Sequence, residues 1–308
     1  MQNIIIPQDQ GFSFGRSIND LFRLMMDLER QPDSSVTLDF SQCRFLNPVF
    51  LLGARLMVQH YQRLGRQVQL NTDCHNRFFQ DYLQLTHFTE GFQPAALSVA
   101  VCNEVLQRYF PKTYLPLTVF PLGLSDEATS IRENLQAAIA THIKTRLCLS
   151  GQVYESVSYL ITEMVNNIND HSRQQDGYLF TQFYPSKGYI DIGFADIGTG
   201  FLGSYQLTGH RDITTHEAAI KAGRMGQSTK DDPQRGFGFR TSRSLLVDGL
   251  GGKYFLFSGD AFLYNDKETP ETIRTLKIKP LIAWPGALVA MRIPMIASPD
   301  FNIYHYLE

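Results

Sequence analysis

Apolar positions recur along this chain with two periods, and the alternation of those periods predicts its elements. Ile18, Leu21, Phe22, Met25, Met26 and Leu28 fall at helical spacing within 17–29, on one face of an amphipathic helix. Short β-rich runs at 3–7 (NIIIP), 35–40 (SVTLDF) and 67–70 (QVQL) predict strands, with further helices over 51–64 and 78–85. Gly65 suits the position just past a helix end, where a left-handed backbone is common. Strands alternating with helices imply parallel pairing and a sheet covered by helices. Residues 93–114, with Pro94 and Pro111, read as a connector carrying a short helix near 98–109. Beyond it the pattern predicts a strand at 115–122, helices over 131–147 and 154–171, and an alternating strand in YIDIGFADIGTGF (189–201). Closing strands are expected within 251–265 and 285–294.

The helix at 154–171 carries unusual polar chemistry beside a good apolar stripe. Val157, Leu160, Ile161, Met164 and Ile168 share one face, and Glu163 and Asn167, one turn apart, lie together on its flank. Taken alone, Asn and Asp near a helix end serve as caps, and His171 fits a core histidine. Two further stretches change that weighing. Asp196 stands at the mouth of a strand, followed by Gly198 and Gly200, which let another backbone or a ligand come close. Gly236 and Gly238 then directly precede an apolar helix, where free N–H groups and the helix dipole favour an anion. This stretch lacks the Lys-Ser/Thr of a P-loop and follows no strand as a dinucleotide fingerprint does.

Composition narrows the field. The 308 residues are 43% hydrophobic and 19% charged with a formal net charge of −2, enough for two cores and without the basic surplus of a general nucleic-acid binder. Cys43, Cys74, Cys102 and Cys148 are scattered and form no CxxC pair, which suits a reduced, cytoplasmic protein. No apolar run reaches the ~18 residues of a membrane span, so no membrane partner is expected.

Two resemblances organise these features. Residues 1–92, through VTLDFSQCRFLNPVFLLGARLMVQHYQRLGRQVQL and FFQDYLQLTHFTEGF, resemble the STAS domain of anti-sigma-factor antagonists. Those antagonists carry a phosphorylatable Ser or Thr where this chain has Asn47-Pro48-Val49. A scaffold that takes no phosphate is therefore expected there, with Asn47 as helix cap and Pro48 in the first turn. Residues 115–295 resemble the GHKL ATPases, the group of gyrase, histidine kinases and anti-sigma serine kinases. Glu163 and Asn167 match the family's N box, Asp196, Gly198 and Gly200 its first glycine box, and Gly236 and Gly238 its second.

The resemblance implies an α/β protein with an N-terminal STAS-like unit (1–92), a connector (93–114), a Bergerat-type α/β sandwich (115–295) and a tail (296–308). The sandwich is expected to have a mixed sheet with helices on one face. ATP and Mg²⁺ are the implied cofactors. Asn167 would offer oxygen to Mg²⁺, Glu163 would act as base, and Asp196 would accept from the adenine amino group. Gly198 and Gly200 would approach the base, and Gly236, Gly238 and Thr241 would hold phosphates. Residues 202–235 would form the ATP lid, with Ser228, Thr229 and Lys230 reaching phosphate. The expected activity is that of an ATPase or a serine/threonine kinase of the anti-sigma type in bacterial signalling, with a protein partner. An ATP-gated interaction module without turnover uses the same residues. A phosphoacceptor role for His60 is disfavoured, because its helix lacks the acidic neighbour of such a box.

Overall fold

Strands β1 (Gln2–Ile5), β2 (Val36–Asp39) and β3 (Val68–Asn71) pair in parallel in that order, joined by helices α1 (Phe14–Glu29) and α2 (Pro48–Arg63). Parallel neighbours need a crossover of a dozen residues or more, which these helices supply. The computed structural model describes residues 2–32, 35–94, 99–109, 112–147, 149, 151–227 and 238–307. Asn47 caps α2, its side-chain oxygen accepting from Val49 N at 2.9 Å with Pro48 in the first turn, so the helix starts three residues before the expected 51. Helix α3 (Arg77–Leu85) completes the N-terminal unit, and α4 (Val99–Gln107) lies within the expected connector.

The second unit is built on seven strands in the order β4-β5-β6-β10-β7-β8-β9. They are β4 (Thr118–Pro121), β5 (Asp176–Tyr184), β6 (Tyr189–Ala195), β7 (Lys253–Gly259), β8 (Ala261–Asn265), β9 (Thr272–Thr275) and β10 (Trp284–Pro294). A mixed sheet was expected, but every ladder between these strands is antiparallel; the parallel element at its margin is the isolated bridge Phe92–Thr118. Short reversals such as the two-residue turn Gly259-Asp260 leave no room for a crossover.

Helices were expected on one face of this sheet, and they cover both. On one face Leu179, Phe183, Ile190, Ile192, Phe194, Leu256, Met291 and Ile293 pack with α5 (Asp126–Leu147), α6 (Gly151–His171) and α9 (Gly238–Ser244). The alternate positions Tyr178, Phe180, Ala195, Phe255, Phe257, Leu288 and Ala290 share a second core with α1 and α2. The strands read as continuous apolar runs because neither parity faces water. Gly193 in β6 marks the closest approach: a Cβ there would lie 2.9 Å from Leu52 Cδ2 of α2. The two units are thus joined through one hydrophobic core.

Part of 202–235 is helical rather than looped. Helix α7 (Gly200–Leu207) opens at Gly200, and α8 (His216–Arg224) is capped by Thr215, whose oxygen accepts from Ala218 N at 3.1 Å. The last residues, expected as a tail, fold back: Ile303 is buried and its N–H donates to Gln152 Oε1 at 2.9 Å. Cys43 and Cys74 are buried free thiols, and burial pushes Cys43 up to about 12. No helix among the described residues is long and apolar enough to cross a membrane.

Candidate functional site

Helix α6 is the frame on which the site is assembled. Its last carbonyls have no partner within the helix and need donors from elsewhere. The turn after β6 supplies them: Thr199 N donates to Ser172 O at 3.0 Å, while Thr199 Oγ1 and Ser204 Oγ donate to His171 O at 2.8 and 3.1 Å. Gly198 must lack a side chain, because the Ser172 carbonyl lies against its Cα. Gly200 adopts φ +63°, and a Cβ there would meet Ser258 Oγ and Gly286 O within 2.8 Å. Both space and backbone conformation therefore demand glycine at 200.

Asp196 directly follows β6, with 3% of its surface exposed. Its Oδ1 accepts from Gly198 N at 2.8 Å, an Asx-type turn that orients the carboxylate. Burial raises its pKa to about 7, against hydrogen bonds from the backbone of Gly198 and Ala287. Three neighbours absent from the sequence-based site complete this corner. Trp284 Nε1 donates to Asp196 O at 2.9 Å, Gly286 lies against Asp196 Oδ1 where a side chain would collide, and Ser258 Oγ donates to Gly286 O at 2.7 Å. The chain's sole tryptophan standing in Trp-Pro-Gly was the available signal for the first two. Nothing marked Ser258 in the sequence.

The other end of the site lies where α6 meets α9. A Cβ on Gly238 would collide with Glu163 Oε2, so this glycine admits the carboxylate to the start of α9. Thr241, one turn further, is buried and hydrogen-bonds Tyr159 of α6. Burial, then the Glu163 carboxylate, pushes the Tyr159 hydroxyl up to about 12. Tyr159 lies four residues before Glu163, as Asn167 lies four after it, so all three occupy one helix stripe. Only the last two were read from the sequence, since an aromatic on that stripe looks like core. Asn167 is half-buried one turn beyond Glu163. Helix α9 runs directly into a π-helical turn at Leu245–Gly249, and Phe239 packs on Phe201 of α7 with ring centroids 5.5 Å apart.

The structure thus brings Glu163, Gly238 and Thr241 together along the middle of α6, and Asp196, Gly198 and Gly200 at its C-terminal end. Ser228, Thr229, Lys230 and Gly236 lie outside the described residues. No protein-family model, curated protein or solved structure matches this chain. The local geometry must therefore carry the chemistry. It offers a carboxylate set in a corner of side-chain-free backbone, and a second carboxylate beside a glycine that begins a helix. Among the described residues no three His, Cys, Asp or Glu side chains form a metal cluster.

Proposed function

We propose that this is a Mg-ATP-binding regulatory protein of the GHKL type with ATPase or anti-sigma-like serine/threonine kinase activity. The observation that carries the reading is the double attachment of α6. The helix presenting Glu163 and Asn167 receives the turn of Asp196, Gly198 and Gly200 at its C-terminal carbonyls, and admits Glu163 against Gly238. Glu163, Gly198 and Gly238, separated by dozens of residues in sequence, thereby meet on one helix.

The residues fit the groups they would hold. Gly198, Gly200 and Gly286 bring bare backbone close around Asp196, whose carboxylate would accept from an exocyclic amine where guanine offers a carbonyl. Asn167 supplies a neutral oxygen suited to a hard cation that takes its remaining ligands from phosphates and water. That cation, when bound, neutralises phosphate charge. Glu163 orients the attacking hydroxyl or water and takes its proton, and Tyr159 beside it limits the carboxylate's freedom. The amides entering α9 favour anionic oxygen. The protein is proposed to act in the cytoplasm on a protein partner, with the STAS-like unit docked on the sheet that bears Asp196.

Calorimetric titration with ATP, ADP and GTP in the presence of Mg²⁺, followed by analysis for ADP and phosphoprotein, tests this reading. Binding of ATP in preference to GTP with ADP released supports it. Absence of adenine-nucleotide binding contradicts it, and binding without ADP or phosphoprotein favours the gated module.

A further inference from the structure

Glu271, one residue before β9, engages two arginines with a single oxygen: its Oε2 lies 2.6 Å from Arg224 Nε and 2.9 Å from Arg243 Nε. Arg224 is the last residue of α8, and Arg243 belongs to α9. The three side chains are 23%, 10% and 24% exposed for Arg224, Arg243 and Glu271, so the cluster is largely screened from water. The Arg243 guanidinium also reaches Asn265 Oδ1 at 2.7 Å and Asp248 Oδ2 at 2.6 Å, which fixes its plane. At the opposite end of α8, Glu217 Oε2 accepts from Thr275 N and Oγ1 at 2.9 and 2.8 Å. Strand β9 therefore grips α8 at both ends, and through Glu271 it ties α8 to α9.

This arrangement has an electrostatic reason. Two guanidiniums converging on one spot repel unless a carboxylate stands between them. The Arg224 contact is a charge-assisted hydrogen bond, whereas Arg243 donates its Nε–H to Asn265 and is held by Glu271 through charge at 2.9 Å. Removing the charge while keeping the shape leaves Arg224 facing a neutral amide and Arg243 with Asp248 as its remaining carboxylate, so the electrostatic link between α8 and α9 through Glu271 is lost. Gly238 and Thr241, which meet Glu163 and Tyr159, ride on that helix. The corner around Asp196 is built from β6, β10 and the end of α6, and does not involve Glu271.

We propose that Glu271 is a positioning residue. By holding Arg224 and Arg243 together it fixes α9, and with it Gly238 and Thr241, against Glu163 at the phosphate end of the nucleotide site. This inference rests on the nucleotide-binding reading above. It separates the two ends of the ligand: the phosphate end depends on Glu271 and the adenine end does not.

The test compares Mg-ATP and adenosine affinities by calorimetry for the full chain and for Glu271→Gln, with circular dichroism confirming the fold. The expected result is Mg-ATP affinity reduced by about tenfold or more with adenosine affinity unchanged. Glu217→Ala is the structural control: it frees the other end of α8, lowers the melting temperature and leaves the ratio of the two affinities as in the native chain. Should Glu271→Gln fail to fold, Glu271→Asp, which keeps the charge and shortens the reach, is read by the same ratio. Equal affinities for Mg-ATP in native chain and variant overturn the role of Glu271 while leaving nucleotide binding intact. Parallel loss of both ligands also overturns it, marking a general structural residue. A native chain that binds neither ligand overturns both readings.

Discussion

Asn47 Nδ2 donates a 2.5 Å hydrogen bond to Asp191 Oδ2, linking the cap of α2 to β6, the strand that leads into Asp196. Arg292 of β10 grips the same carboxylate with Nε and Nη2, each at 2.7 Å. On the other side Asn47 N donates to Gln10 Oε1 at 3.0 Å, and Gln10 Nε2 donates to Asp20 Oδ2 at 3.2 Å. Asn47 is 1% exposed and Asp191 fully buried, so this polar chain runs through the seam between the two units. Burial pushes the Asp191 carboxyl up, and the Arg292 guanidinium and the Asn47 amide pull it back. Asn47 is thus both the cap of α2 and a bond across the seam.

Breaking that bond should destabilise both units together. Asp191→Ala leaves Arg292 buried without its counter-ion and should cost about 3–5 kcal/mol. Asn47→Ser preserves a capping oxygen but removes the donor to Asp191, at about 1.5–3 kcal/mol for a hydrogen bond to a charged group. Urea unfolding followed by both far-UV dichroism and Trp284 fluorescence checks this. A single coincident transition moving to lower urea is expected, whereas two separate transitions would mean the units unfold independently.

Asp196 makes stability and binding depend on pH in opposite directions. Its folded pKa, about 7, lies above the ordinary 3.8, so the protonated form favours the fold. That stabilising contribution is complete below about pH 4 and is lost as pH rises through about 7. The melting temperature of the ligand-free protein should therefore decline from pH 5 to 8 through this group, and Asp196→Asn should flatten that part of the slope. An adenine amino donor favours the ionised carboxylate, so ATP should bind more tightly at pH 8 than at pH 6 and release a proton near pH 6.5. Calorimetry in buffers of different ionisation enthalpy measures that release, and proton uptake would reverse the assignment.

Glu163 and Asn167 should fail differently. Glu163→Ala is expected to bind Mg-ATP nearly as the native chain does and to lose turnover by ~10²-fold or more, the usual scale for a positioned base. Asn167→Ala should lose the Mg²⁺-dependent part of ATP affinity. Tyr159→Phe retains the ring and removes the bond to Thr241, so a smaller loss of turnover with unchanged fold is expected. Steady-state ADP production with matched binding isotherms separates the three. No ADP production or phosphoryl transfer by the native chain, with Glu163→Ala indistinguishable from it, would assign the protein to the gated module.

Much of the architecture was legible because periodicity is a local signal. The α6 stripe from Val157 to Ile168 and the Asn47 cap with Pro48 in the first turn appear as the sequence implies, although α2 begins earlier than its apolar spacing alone indicated. Strand β5 (Asp176–Tyr184) escaped notice because its run Tyr-Leu-Phe-Thr-Gln-Phe-Tyr is apolar on both parities, without the alternation of a half-exposed strand. The same property in β7 and β10 reports a sheet buried on both faces, yet the sequence cannot say that α2 supplies the second cover. Helices α7 and α8 were hidden by glycines and polar residues that read as loop. Of the candidate site, Asp196 and the glycines were found from their spacing, while Ser258, Gly286 and Glu271 reach their partners through pairings between distant strands and helices.

The central claim is adenine recognition by Asp196, and one titration tests it most directly. Isothermal calorimetry of the full chain and of Asp196→Asn with Mg-ATP and Mg-GTP compares an acceptor carboxylate with an amide that can present a donor. The native chain should bind ATP and discriminate against GTP, and Asp196→Asn should lose ATP affinity by about tenfold or more, the loss of a charge-assisted hydrogen bond. Equal affinity of the native chain for the two nucleotides, or native ATP affinity in Asp196→Asn, would contradict the account.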